Sequence, residues 1–126
     1  MLQNSKAFSG FSVDDIANAR AFYADLPGLD LRDNPMGYLE LHLKGNNGIF
    51  IYPKKDHEAA SFTILNFAVE NIEEAADQLI AKGIRFEQYT GDLRTDAKGI
   101  CKTARRKPFI AWFKDPAGNI LSLIED

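Results

Sequence analysis

The sequence predicts an α+β fold in which one strand–helix–strand–strand–strand unit is used twice, and three observations predict it. First, residues 8–31, FSGFSVDDIANARAFYADLPGLDL, read against residues 64–86, ILNFAVENIEEAADQLIAKGIRF, so that Phe11 falls on Phe67, Val13 on Val69, Asp15 on Asn71, Ile16 on Ile72 and Ala19 on Ala75. One deletion later Gly28 falls on Gly83 and Leu31 on Phe86. Second, each copy passes from an alternating apolar strand into helical spacing. Third, turn signals divide the stretch after each helix into short strands. A repeat of this length is one supersecondary unit used twice, and one helix covering each sheet makes the class α+β.

Ala7 to Val13 alternates Phe8, Gly10 and Ser12 on one face with Ser9, Phe11 and Val13 on the other, which is strand periodicity. Asp14 and Asp15 supply a cap and early negative charge for a helix that carries Ile16, Ala19, Phe22, Tyr23 and Leu26 and stops at Pro27 and Gly28. Short strands are predicted at Leu29–Arg32, Tyr38–Leu43 and Gly48–Tyr52, punctuated by Asn34-Pro35 and Gly45-Asn46-Asn47-Gly48. The first module thus covers residues 7–53, a polar linker 54–61, and the second module 62–126. That module opens with the strand Phe62–Val69. Asn71 with Glu74 starts a helix, Ile72–Lys82, which buries Ile72, Ala75, Ala76, Leu79 and Ile80 and stops at Gly83. A strand is predicted at Ile84–Tyr89. Thr90 to Lys107 has no period and is long for a loop, a mark of a functional or mobile segment. A final hairpin, Phe109–Phe113 and Asn119–Ile124, turns on Lys114-Asp115-Pro116-Ala117-Gly118.

At 126 residues the chain makes one domain with a real core. Hydrophobic residues at 45% and charged ones at 26% are ordinary for a globular protein, and a net charge of -3 sets up no field for nucleic acid or membrane. No apolar run approaches spanning length and Met1–Lys6 has no signal-peptide core, so a cytoplasmic protein is expected. The single Cys101 reads as a free thiol of a reducing compartment.

The runs VDDIANARAFYADLPGL and WFKDPAGNILSL resemble the vicinal oxygen chelate superfamily, the group of glyoxalase I, the bleomycin-resistance proteins and the extradiol dioxygenases. The resemblance covers essentially the whole chain and specifies a fold rather than one reaction. It implies that the two βαβββ modules form a curved, open barrel of about eight strands with the helices outside. In metal-using members, four side chains from the first and last strands of each module point into the concave face. Carried onto this sequence, those positions are Phe8, Ile64, Ser122, and Ile51 or, with a register shift at Asn46-Asn47, Ile49. None is a usual ligand, since divalent metals need converging imidazole, carboxylate or thiolate. No metal and no cofactor is therefore expected, and the family's Lewis-acid chemistry loses its agent.

What remains is a concave cavity lined by Phe8, Ser12, Ile51, Ile64, Asn66, Trp112 and Ser122, which suits a small, partly hydrophobic ligand. The chain is thus expected to be a metal-free binding protein of the glyoxalase and bleomycin-resistance kind, working as a homodimer without nucleic-acid or membrane partners. The alternative is a lyase, isomerase or other small-molecule enzyme. Its candidate catalytic residues are Glu40 and His42, two residues apart on one strand face, as an acid–base pair or a displaced metal site. His57 beside Glu58 and the basic residues Arg94, Lys98, Lys102, Arg105, Arg106 and Lys107 complete the candidates. The latter could form a lid over an anionic ligand.

Overall fold

The computed structural model describes residues 1–103 and 105–126, which divide into two compact units, Met1–Glu58 and Ala59–Asp126. Each unit repeats one plan: a strand, a helix, then three strands. In unit one these are β1 (Ser9–Val13), α1 (Ile16–Ala24), β2 (Asp30–Asp33), β3 (Leu39–His42) and β4 (Ile49–Pro53). The sheet order is β1-β4-β3-β2, with β1 parallel to β4 and the other pairs antiparallel. Asp15 caps α1, its Oδ1 accepting the Asn18 N–H at 3.0 Å, which satisfies one of the donors a helix start leaves over.

Alternation along each strand sends its apolar residues to the face that α1 covers. Val13, Leu39, Leu41, Ile49 and Ile51 are buried with Ala19 and Tyr23 of the helix. The Phe11 and Tyr23 rings, 6.0 Å apart, mark this as the helix side. Fully burying an Ile or Leu of this kind contributes about 1.5–3 kcal/mol.

Unit two comprises β5 (Thr63–Ala68), α2 (Ile72–Ala81), β6 (Ile100–Cys101), β7 (Phe109–Lys114) and β8 (Ile120–Glu125), in the order β5-β8-β7-β6. Asn71 caps α2 through Glu74 N–H at 3.1 Å. The Glu125 carboxylate accepts Ile72 N–H at 2.9 Å and so ties the helix start to β8. Leu121, Leu123, Ala111 and Phe113 form the helix-facing core with Ile72, Ala76 and Leu79. The β7–β8 turn is closed by Asp115, whose Oδ1 accepts Ala117 N–H and Asn119 N–H, both at 2.9 Å, with Gly118 at φ 85.

One predicted strand is corrected. Ile84–Tyr89 is not a strand; the place beside β7 is taken by Ile100–Cys101, inside the segment expected to be a loop. Glu87 donates its N–H to the Trp112 carbonyl at 2.8 Å, but the ladder proper is Ile100 with Ala111 and Cys101 with Ile110. Gly99 makes this approach possible: at φ +97, a Cβ added there would overlap Phe86 Cβ. The rest of the segment is pinned by ion pairs. Lys98 meets Glu73 at 2.9 Å and Asp77 at 2.7 Å, and Lys102 meets Glu73 at 2.6 Å. Lys107 reaches Glu125 at 2.9 Å. These basic residues thus anchor the segment to α2 and β8. Cys101 is buried, its Sγ 2.9 Å from Thr103 Oγ1. No helix is long and apolar enough to cross a membrane among the described residues.

Candidate functional site

Most of the strand-borne candidates lie on the sheet faces that the helices leave uncovered, and register decides which side chains reach them. In unit two Asn66 pairs with Ser122, and Ser122 with Trp112, so the three stand in one row. Ser122 is fully buried and donates its hydroxyl hydrogen to Asn66 Oδ1 at 2.5 Å. Asn66 itself is exposed, so the amide anchors the serine from the open side. Trp112 is half-buried and meets the Tyr89 ring edge-on at 5.3 Å. Ile64 sits at the irregularity between Thr63 and Leu65, half-buried.

The matching row of unit one begins at Gly10, the repeat equivalent of Asn66, and Gly10 pairs with Phe50. Phe50, not Ile51, is therefore the counterpart of Ser122. Ile51 pairs with Phe11 and Leu39 on the helix side and is fully buried, and Ile49 is buried on that same side. A shift of one residue sends every side chain to the opposite face. The expectation that Ile51 or Ile49 lines the open face is thus corrected: both are core. Phe8 stands just before β1, 59% exposed, its ring 4.8 Å from that of Phe50.

The family's metal can now be tested against its donor positions. Unit one offers Phe8 and Phe50, which have no lone pair to give. Unit two offers Ile64 and Ser122, whose hydroxyl is already committed to Asn66. These residues do not fit a divalent cation. Among the described residues no three His, Cys, Asp or Glu side chains converge elsewhere.

The open face of unit one carries the densest chemistry. Its aromatic part is Phe8 on Phe50 and Tyr38 beside Tyr52, ring centres 6.2 Å apart. Ser12, one strand from Tyr52, has its Oγ 2.6 Å from His57 Nδ1. This brings part of the predicted linker against β1, where Lys54 N–H also donates to the Val13 carbonyl at 2.9 Å. The polar part centres on Glu40, directly across from Phe50. Asn34 donates its amide to Glu40 Oε2 at 2.8 Å, and His42 Nε2 lies 2.9 Å from Oε1. Asn34 and then His42 hold this carboxyl below the usual carboxylate range, because both bonds favour the anion. Beyond them, on β2, Asp30 pairs with Arg32 at 2.8 Å and stands opposite His42.

Sequence reasoning brought Glu40 and His42 together correctly as neighbours on one strand face. It missed Asn34, read only as a turn residue, and Phe50, hidden by the register choice. The repeat offset was the available signal for Phe50, since it maps Asn66 onto Gly10 and hence Ser122 onto whatever faces Gly10.

Fold and sequence together define the class: the chain belongs to the Glyoxalase/Bleomycin resistance protein/Dioxygenase superfamily, whose family model matches residues 8–123. No curated protein matches it in sequence. Among solved structures it is similar to the fosfomycin resistance protein FosX of Listeria monocytogenes, at 12% identity and TM-score 0.69 over 98% of this chain and 93% of that one. A glyoxalase family protein of Enterococcus faecalis is 23% identical with TM-score 0.66 over 99% and 100% of the two chains. An integron cassette protein from the mobile metagenome of a Halifax Harbour sewage outfall is 18% identical with TM-score 0.68 over 94% and 97%. At these identities the likeness is one of fold.

Proposed function

We propose that this chain binds a small, partly hydrophobic molecule without a metal, on the aromatic and polar sheet faces that α1 and α2 leave uncovered. The observation that carries the reading is the side-chain chemistry at the family's donor positions: Phe8, Phe50, Ile64 and a committed Ser122. Such residues give an apolar ligand a wall, with a few fixed polar groups to orient it. Asn66, Ser12 and Trp112 belong to the proposed ligand-facing set. The fosfomycin-resistance name of one structural neighbour and the bleomycin-resistance branch of the family agree with a protein that takes up small organic compounds. A homodimer in the cytoplasm completes the proposal, checked by light scattering on the purified chain.

A thermal-shift screen tests the reading, because a ligand that binds only the folded state raises Tm by mass action. A stabiliser from a broad panel, equally effective with and without chelator, is the expected result. Silence across the panel, or a stoichiometric metal retained through purification, overturns it. A second reading, proton transfer by Glu40 and His42 in an enzyme, is favoured by their 2.9 Å contact. It requires turnover that survives chelation and disappears in both Glu40→Gln and His42→Phe.

A further inference from the structure

Resting on the binding proposal, we infer that His42 Nδ1 is the hydrogen-bond acceptor of a ligand site on unit one, selecting an aromatic molecule with a neutral donor, such as a phenol, whose ring seats on Phe8 and Phe50.

Glu40 sets the state of the histidine. Its two oxygens are separately occupied, Oε2 by the Asn34 amide and Oε1 by His42 Nε2. Both bonds favour the ionised form, and an ionised carboxylate only accepts. The hydrogen between Glu40 and His42 therefore sits on Nε2. In a neutral imidazole one ring nitrogen donates and the other accepts, so fixing the hydrogen on Nε2 makes Nδ1 the acceptor. Asn34 and Glu40 are positioning residues in this arrangement: the first holds the carboxylate and the second holds the ring and its tautomer. Nδ1 has no protein partner among the described residues, and the His42 side chain is one-third exposed. An oriented acceptor is thus presented at the surface.

The surroundings name what it would accept from. Phe50 faces Glu40 across the β3–β4 ladder, so it is a diagonal neighbour of His42, at roughly 7–8 Å in such a ladder. Gly48, just before β4, carries no side chain, and a Cβ built there would find nothing nearer than the Leu41 carbonyl at 4.0 Å. The residue across the ladder from His42 therefore adds no side chain of its own. Beyond it lies the Phe8–Phe50 pair, whose rings offer the offset or edge-on contact that aromatic ligands prefer. Charge argues for a neutral donor rather than an anion. Glu40 and Asp30 flank His42, and Arg32, the cation on that side, is held by Asp30 through two hydrogen bonds.

The experiment uses the full chain with imidazole nitrogens labelled, in mildly alkaline buffer, and two probes: 2-naphthol and its methyl ether, which lacks the donor. The expected result is a Kd about fivefold lower for 2-naphthol, the worth of one neutral hydrogen bond, with a shift of the His42 Nδ1 resonance. His42→Phe keeps a ring but no nitrogen. It should still bind both probes and lose the preference. Glu40→Gln should mix the two tautomers in the nitrogen spectrum and weaken the preference, with the ring-stacking affinity retained. Equal affinities in the wild type, with Nδ1 unmoved, overturn this inference and leave the binding proposal standing. Failure of both probes to bind overturns it too, and the binding proposal falls with it only if the thermal-shift panel is also silent. Amide spectra of each variant confirm that it is folded.

Discussion

Replacing Ile51 and Phe50 by Ala, one at a time, separates core from ligand face with two opposite signatures. Ile51 is 0% exposed and packed between Phe11 and Leu39 under α1. Truncating such a side chain removes its transfer energy and leaves a cavity that relaxes only in part, at a cost of about 2–5 kcal/mol. Against a total stability of about 5–15 kcal/mol, that is a large fraction. For a chain of this size Tm should fall by roughly 10 °C or more. Phe50 is half-buried and its ring lies on exposed Phe8, so Phe50→Ala should cost about 1–2 kcal/mol. Binding should sort the other way. The Ile51 variant, where folded, should hold 2-naphthol as the wild type does, while the Phe50 variant should lose most of the affinity. Urea unfolding monitored by circular dichroism gives the stability change and titration calorimetry the affinity. A Phe50 variant less stable than the Ile51 variant, or binding lost on truncating Ile51 and kept on truncating Phe50, refutes this register.

Installing donors should not rebuild a metal centre: Phe8→His with Ser122→Glu is expected to remain metal-poor by elemental analysis and to melt lower. The new carboxylate displaces a buried hydroxyl from Asn66, at about 1–3 kcal/mol for an unsatisfied group. Asn34→Ala removes the main support of the Glu40 anion, so the Glu40 midpoint in a carbon-detected NMR titration should rise toward 4.5. Because its folded pKa lies below the unfolded one, Glu40 contributes stability above the unfolded carboxylate value and loses it as pH falls through the folded value. The Asn34 variant should show less of that acid-side loss, and an unchanged midpoint would count against the hydrogen bond. Gly99→Ala forces a Cβ into Phe86 at a positive φ, which should detach the Ile100–Cys101 strand. Faster hydrogen exchange at Ile110, whose N–H faces Cys101 across that ladder, is the readout.

The two helices were legible in the sequence because their signals are local: Asp15 and Asn71 as caps, Gly28 and Gly83 as stops, and apolar spacing between them. The repeat was legible for the same reason, and with it the doubled βαβββ plan. Glu40 and His42 could be paired from spacing alone, since residues two apart on a strand share a face. The mismatch of Phe8, Ile64 and Ser122 with metal chemistry was also readable, because it concerns residue types at fixed distances from recognisable motifs. Tertiary structure alone decided the rest. Ile51 against Phe50 is a choice of one residue in register, and only the ladder to Gly10 settles it. Ile84–Tyr89 and Ile100–Cys101 have similar local preferences for the β7 edge. The winner is fixed by Gly99 passing against Phe86 and by Lys98 and Lys102 reaching α2, contacts made between residues far apart in the chain. Asn34 became part of the site for that reason as well: its turn was written in the sequence, but which carboxylate its amide would meet depended on how β2 folds back on β3.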